Sequence, residues 1–169
     1  METRLLLSAL GAGLALQAWA QTGSLPLFLI ERTTNANVIH YEARVGQDRK
    51  LDSRQPVIAY WIMAAENGRR QELNVLERTR AYGFAIRPDG SNDSYTITLA
   101  SDRRRPIQVY LRDGIAHAET TIGGHRAFLQ KIFVTTRKVL TLNEPVSAEL
   151  YGVDVVTGEP RYEKVTPER

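Results

Sequence analysis

An all-β fold with one short helix, curled into an antiparallel barrel or a barrel-like sandwich, is the architecture this sequence predicts. Three observations carry the expectation: apolar and polar residues alternate with a period of two in several segments, turn dipeptides recur at short intervals, and a single stretch has a helical period. About nine short strands result. Their order reads mostly as a meander, with the helix between the third and the fourth.

The elements follow along the chain. LFLIER (27–32) and VIHYEARV (38–45) are joined by TTNAN and form a hairpin. In the second run Ile39, Tyr41, Ala43 and Val45 share one face, and His40, Glu42 and Arg44 the other. Val57–Met63 is apolar on both faces, as a central strand requires. Asn67-Gly68 then breaks the chain before RRQELNVLERTRA, where a helical projection puts Leu73, Leu76, Val75 and Thr79 on one side and Arg70, Asn74 and Arg78 opposite. A helix this short is not stable alone, so its apolar stripe is expected to lie across an open end or edge of the sheet, covering exposed backbone groups. Tyr82-Gly83-Phe84 returns the chain to the sheet. Tyr95, Ile97 and Leu99 alternate with Thr96 and Thr98. Asp113-Gly114 separates two strand-like runs and marks a type I′ turn, whose central residues both need positive φ. Gly123-Gly124 suggests a further reversal. In AELYGVDVV the alternation of Ala148 and Leu150 resumes at Val153 and Val155, and a β-bulge at Gly152 would keep all four on one face.

Composition sets the compartment. Arg4, the apolar run Leu5 to Leu16 and the triplet Ala18-Trp19-Ala20 read as a secretory signal peptide cut after Ala20, too short to span a bilayer. Residues 21–169 then form a single β-rich domain of 149 residues, enough for a real core. No second apolar run follows that is long enough for an integral membrane segment. Cysteine is absent, which excludes disulfides and thiolate chemistry and suits an exported chain of the bacterial periplasm. A net charge of +3 is too small and dispersed to argue a nucleic-acid partner.

Candidate chemistry is sparse. There is no G-x-S-x-G elbow, and Ser53, Ser91, Ser94 and Ser101 sit in turn-like segments. His40, His117 and His125 match no metal-ligand spacing, so neither a metal nor another cofactor is expected, although His117 and Glu119 share a strand face. Glu31 and Glu42 are placed across the first hairpin, Glu72 and Glu77 on the helix, with Glu72 towards its apolar side as half of a structural ion pair. Arg103-Arg104-Arg105 is the densest charge, suited either to an anionic envelope ligand or, with Asp102, to a solvated turn. Large aromatic residues fill the interior of a small barrel or line a cavity in a wider one. Tyr110 is the exception, sent by alternation to the polar face with Gln108 and Arg112. The ligand-contact candidates are Tyr60, Trp61, Glu77, Tyr82, Tyr110 and His117.

IER at Ile30 to Arg32, YWI at Tyr60 to Ile62, LxxxE at Leu73 to Glu77 with AYG at Ala81 to Gly83, and ELYGVDVVTGE at Glu149 to Glu159 carry a family resemblance. The chain resembles an uncharacterised bacterial family, the domain of unknown function 4833. That resemblance implies one exported domain and lends no activity. The expected function is a noncatalytic periplasmic module binding a small apolar or anionic envelope ligand. The alternatives are a structural or protein-interaction domain with a protein partner and, third, a hydrolase using Glu, His and Arg in a cleft.

Overall fold

The computed structural model describes residues 23–90, 93–139 and 142–166. The expected leader and its expected cleavage point lie outside them. Eleven strands form one strongly curled, mostly antiparallel sheet, a half-barrel. They are β1 (Gly23–Arg32), β2 (Asn35–Val45), β3 (Val57–Met63), β4 (Arg69–Glu72), β5 (Phe84–Pro88), β6 (Ser94–Leu99), β7 (Asp102–Arg112), β8 (Ile115–Ile122), β9 (His125–Val139), β10 (Leu142–Asp154) and β11 (Pro160–Val165). The single α-helix among the described residues, α1 (Val75–Arg80), joins β4 to β5.

The meander holds within two leaves, β1 to β4 and β5 to β8. Strand β9 fuses them. Its first residues, His125–Phe128, pair antiparallel with β8, and Lys131–Val134 run parallel to Leu29–Arg32 of β1 on the same edge. Its other edge carries β10, and β10 carries β11. At one end of the curl a Lys50–Asp93 ion pair of 3.2 Å ties the β2–β3 loop to the β5–β6 turn.

Local chemistry explains most elements. Asp113 and Gly114 take φ of 54° and 77°, and the β7–β8 hairpin forms around them as the dipeptide requires. Gly123 and Gly124 do the same for β8–β9. The register of β10 on β9 slips at Tyr151/Gly152, but the extra residue is Gln130 of β9. Gly152 therefore stays in alternation, and Val153 pairs with Phe128 on the outer face rather than joining Leu150 inside.

The helix departs from expectation. Asn67 and Gly68, both at positive φ, reverse the chain so that Arg69–Glu72 pairs back on β3 as an edge strand. The helix starts only at a capping box: the Asn74 side chain accepts from the Glu77 N–H (3.0 Å), and the Glu77 carboxylate accepts from the Asn74 N–H (2.9 Å). Leu73 thus precedes the helix, and within the expected stripe it alone is buried. Val75 and Leu76 are 79% and 61% exposed, so the stripe does not lie on the sheet.

Phe28, Ile30, Ile39, Tyr41, Val57, Trp61, Ile97, Ile107, Val109, Ile122, Leu129 and Leu150 belong to one packed core. Tyr41 stacks on Phe28 (ring centroids 4.3 Å) and donates its hydroxyl to the Tyr82 carbonyl at 2.5 Å. Burial pushes its phenol pKa up, so the group stays neutral.

Candidate functional site

Three of the short motifs meet at one end of the half-barrel. Ile30 and Arg32 of β1 are register partners of Ile132 and Val134 of β9, which face the core, so alternation turns the Arg32 side chain inward. Its guanidinium lies 4.3 Å from the Trp61 ring centroid and 5.9 Å from that of Tyr82. It donates to the Tyr82 hydroxyl (3.2 Å) and to the Asn35 side-chain oxygen (3.4 Å). No carboxylate among the described residues pairs with it, and its Nε is buried without a partner.

The Tyr82 segment is held tightly. The Glu77 carbonyl accepts from the N–H groups of Ala81, Tyr82 and Gly83, and the Gly83 carbonyl accepts from Ala100 at 2.8 Å. A Cβ on Gly83 would lie 1.9 Å from the Arg78 carbonyl oxygen, so only glycine fits.

On the other side of α1 an open groove of about 870 Å³ runs along the start of β3. Strand β4 pairs β3 only over Tyr60–Met63, because the chain leaves the sheet at Leu73 to enter the capping box. Val57–Ala59 therefore forms one border of the groove without a strand beside it; Gly83 and Phe84 form another, and Gly23, Ser24 and Val45 close the end. Three guanidinium groups and two carboxylates line it. Arg70 and Arg78 share the single carboxylate of Glu72, at 3.1 and 3.3 Å. Arg44 lies 3.9 Å from Asp52, beyond hydrogen-bond length, and donates to Gln55 at 2.7 Å. Positive charge is in excess there.

The sequence candidates do not form one site. Trp61 and Tyr82 come together, but Tyr60 faces the opposite side of β3, where its hydroxyl donates to Glu42 (2.6 Å), its ring lies 5.9 Å from His40, and Arg70 sits 3.7 Å above it. Burial, helped by the Glu42 carboxylate, pushes the Tyr60 pKa up to about 12. Glu77 serves the helix cap. Tyr110 and His117 do meet, opposite each other on the outer face of β7–β8 with ring centroids 5.5 Å apart, and Phe128 covers His117 at 4.5 Å. Burial, together with nearby Arg112, lowers the His117 pKa.

Beside them Glu119 is 6% exposed and accepts from the Tyr110 hydroxyl (2.8 Å) and from Arg126 Nε (2.6 Å). Burial raises its pKa, but the hydrogen bonds from Arg126 and Tyr110 outweigh that, and the net shift is downward. This cluster lies on open sheet and lines neither the arginine groove nor the smaller one beside Lys50.

Other charges resolve as structure. Arg105 is bidentate to Glu163 (3.1 and 2.7 Å), also reaches Asp102 and the Thr121 carbonyl, and clamps β7 to β11. The triple-arginine run is thus the start of β7, not a turn. Glu31 pairs with Lys131 at 3.2 Å and Glu42 with Tyr60, so the two do not face each other. Glu72 lies on β4, 61% exposed, and forms its ion pairs in solvent. His125 lies 3.9 Å from Asp154, and no cluster of three or more His, Asp or Glu among the described residues is arranged to hold a metal. Arg44, Arg70 and Arg78 are not candidates in the sequence, because they come from three elements, β2, β4 and α1, that border one groove only once β2 and β4 pair on either side of β3.

By its architecture this is a curled β half-barrel with a packed core and a basic surface groove. The family model described as domain of unknown function (DUF4833) matches residues 28–164, and the chain belongs to that family. No curated protein and no solved structure matches it.

Proposed function

We propose that this domain is an exported, noncatalytic binding module of the bacterial periplasm that takes an anionic partner, through phosphate or carboxylate groups, in the groove beside β3. The convergence of Arg44, Arg70 and Arg78 on a groove holding only two carboxylates carries this reading. Guanidinium forks match both anions in bidentate geometry. The packed core favours an anionic ligand at the surface over an apolar one inside. Export rests on Arg4, the Leu5 to Leu16 run and Ala18-Trp19-Ala20.

An NMR titration with inorganic phosphate tests the groove. The Nε–H resonances of Arg44, Arg70 and Arg78 are expected to shift at millimolar phosphate, and an R44Q/R70Q variant to lose the response. Shifts spread evenly over all surface arginines would overturn it. For export, the protein recovered from the periplasm should begin at Gln21 by intact mass; an unprocessed mass refutes cleavage there.

A further inference from the structure

We propose that the groove receives an extended acidic peptide, added as a strand to the unpaired start of β3. This rests on reading the groove as an anion site and names the occupant.

Strand β3 is hydrogen-bonded to β2 along Val57–Ile62, yet on its other edge β4 covers only Tyr60–Met63. The stretch Val57–Ala59 is a sheet edge about 10 Å long, and such an edge is a template for an added strand. Two other free edges are blunted: all four residues of β4 are exposed and polar, and β5 ends in Pro88. At Val57–Ala59 the edge instead opens onto a groove.

The chemistry on the two sides of that edge is unequal. Val57 and Ala59 pair with Ala43 and Tyr41 and share their inward face, with Phe84 and Leu73 nearby in the groove wall. Ile58 pairs with Glu42 and faces outward, the side of Arg44 and Arg70; Arg78 joins that side through Glu72. A strand laid along Val57–Ala59 therefore alternates between an apolar wall and the side that carries the guanidinium groups lining the groove. Its complement is a peptide alternating apolar and acidic residues. Backbone pairing supplies affinity and the alternate side chains supply selectivity.

The test uses residues 21–169 and a fluorescent peptide of about six residues alternating valine and glutamate, read by anisotropy. The peptide is expected to bind, and to lose at least about tenfold in affinity when glutamine replaces glutamate or when alternate backbone nitrogens facing β3 are methylated. The R44Q/R70Q variant should lose a similar factor, and amide exchange at Ala59 should slow on binding. If the methylated peptides bind as well as the parent, charge alone holds them; strand addition is then wrong and the anion groove survives. If the peptide fails while phosphate still shifts the arginine resonances, the peptide is wrong and the groove again survives. Failure of both overturns both. Self-association that protects Ala59 without peptide would make a second copy the occupant and refute the proposal.

Discussion

His40 lies opposite Tyr60 on the outer face of β2–β3, and His117 lies opposite Tyr110 on the outer face of β7–β8. In each leaf the glutamate two residues after the histidine accepts the tyrosine hydroxyl, at 2.6 Å for Glu42 and 2.8 Å for Glu119. An arginine sits over each tyrosine ring, Arg70 at 3.7 Å and Arg112 at 5.4 Å. Glu42 is half-buried and forms no ion pair with a described residue. Glu119 is buried and ion-paired to Arg126.

The third strand makes the difference. Glu42 has Pro26 of β1 as its other neighbour, whereas Glu119 has Phe128 of β9, one turn of the pleat from Arg126. One local pattern, H-x-E facing a tyrosine, is thus a surface network in one leaf and a buried tie in the other. Burial and a second partner decide its worth, more than the pair itself.

The largest effect is expected where the leaves are joined. Gly83→Ala forces the α1 exit away from the Arg78 carbonyl and should cost about 3 kcal/mol in urea unfolding. A much smaller loss would mean that the leaves tolerate independent movement. Next comes the carboxylate contrast: Glu119→Gln leaves Arg126 and Tyr110 badly matched and should cost about 2 kcal/mol, against about 1 kcal/mol or less for Glu42→Gln. Equal losses would break the comparison.

Titration sharpens it further. Because the folded Glu119 pKa is lowered, its stabilisation is present above the unfolded glutamate value and is lost as pH falls, so acid should loosen β8–β9 before β2–β3 in amide exchange. The folded Tyr60 pKa is raised to about 12, so its contribution is full below the unfolded tyrosine value and disappears as pH rises through about 12. Ultraviolet titration of wild type against Tyr60→Phe should show the missing transition there; a midpoint at the ordinary tyrosine value contradicts the Tyr60–Glu42 hydrogen bond. Smallest of all, replacing exposed Val75 and Leu76 with serine should move stability by no more than about 0.5 kcal/mol. A large loss would show that α1 is anchored through them.

Local patterns made much of this legible. Alternation placed β2, β6 and the β7–β8 hairpin, and Asp113-Gly114 placed the turn, because side-chain period and turn stereochemistry are properties of neighbouring residues. The helix was legible as an element but not in its burial, since the capping box at Asn74 and Glu77 moved Leu73 out of the helix and left Val75 and Leu76 in solvent. The parallel β1–β9 pair has no local signature at all. Arg32 continues the inward alternation of Phe28 and Ile30, and the Trp61 and Tyr82 rings, distant in sequence, make that inward position tenable for a charge. Of the site candidates, the structure sets Tyr110 beside His117 and Trp61 beside Tyr82, contacts that no local pattern specifies, and the groove arginines depend on the pairing of β2, β3 and β4.

The parallel seam between Leu29–Arg32 and Lys131–Val134 also governs when the domain exists. During synthesis the first hairpin emerges early, but its outer edge waits for roughly a hundred more residues before a permanent neighbour arrives. Until then the nascent chain presents a half-finished sheet whose exposed border any holding factor can grip. Maturation is therefore gated late in the chain: a truncation that stops short of Val134 should leave a sticky, protease-sensitive fragment rather than a smaller working domain.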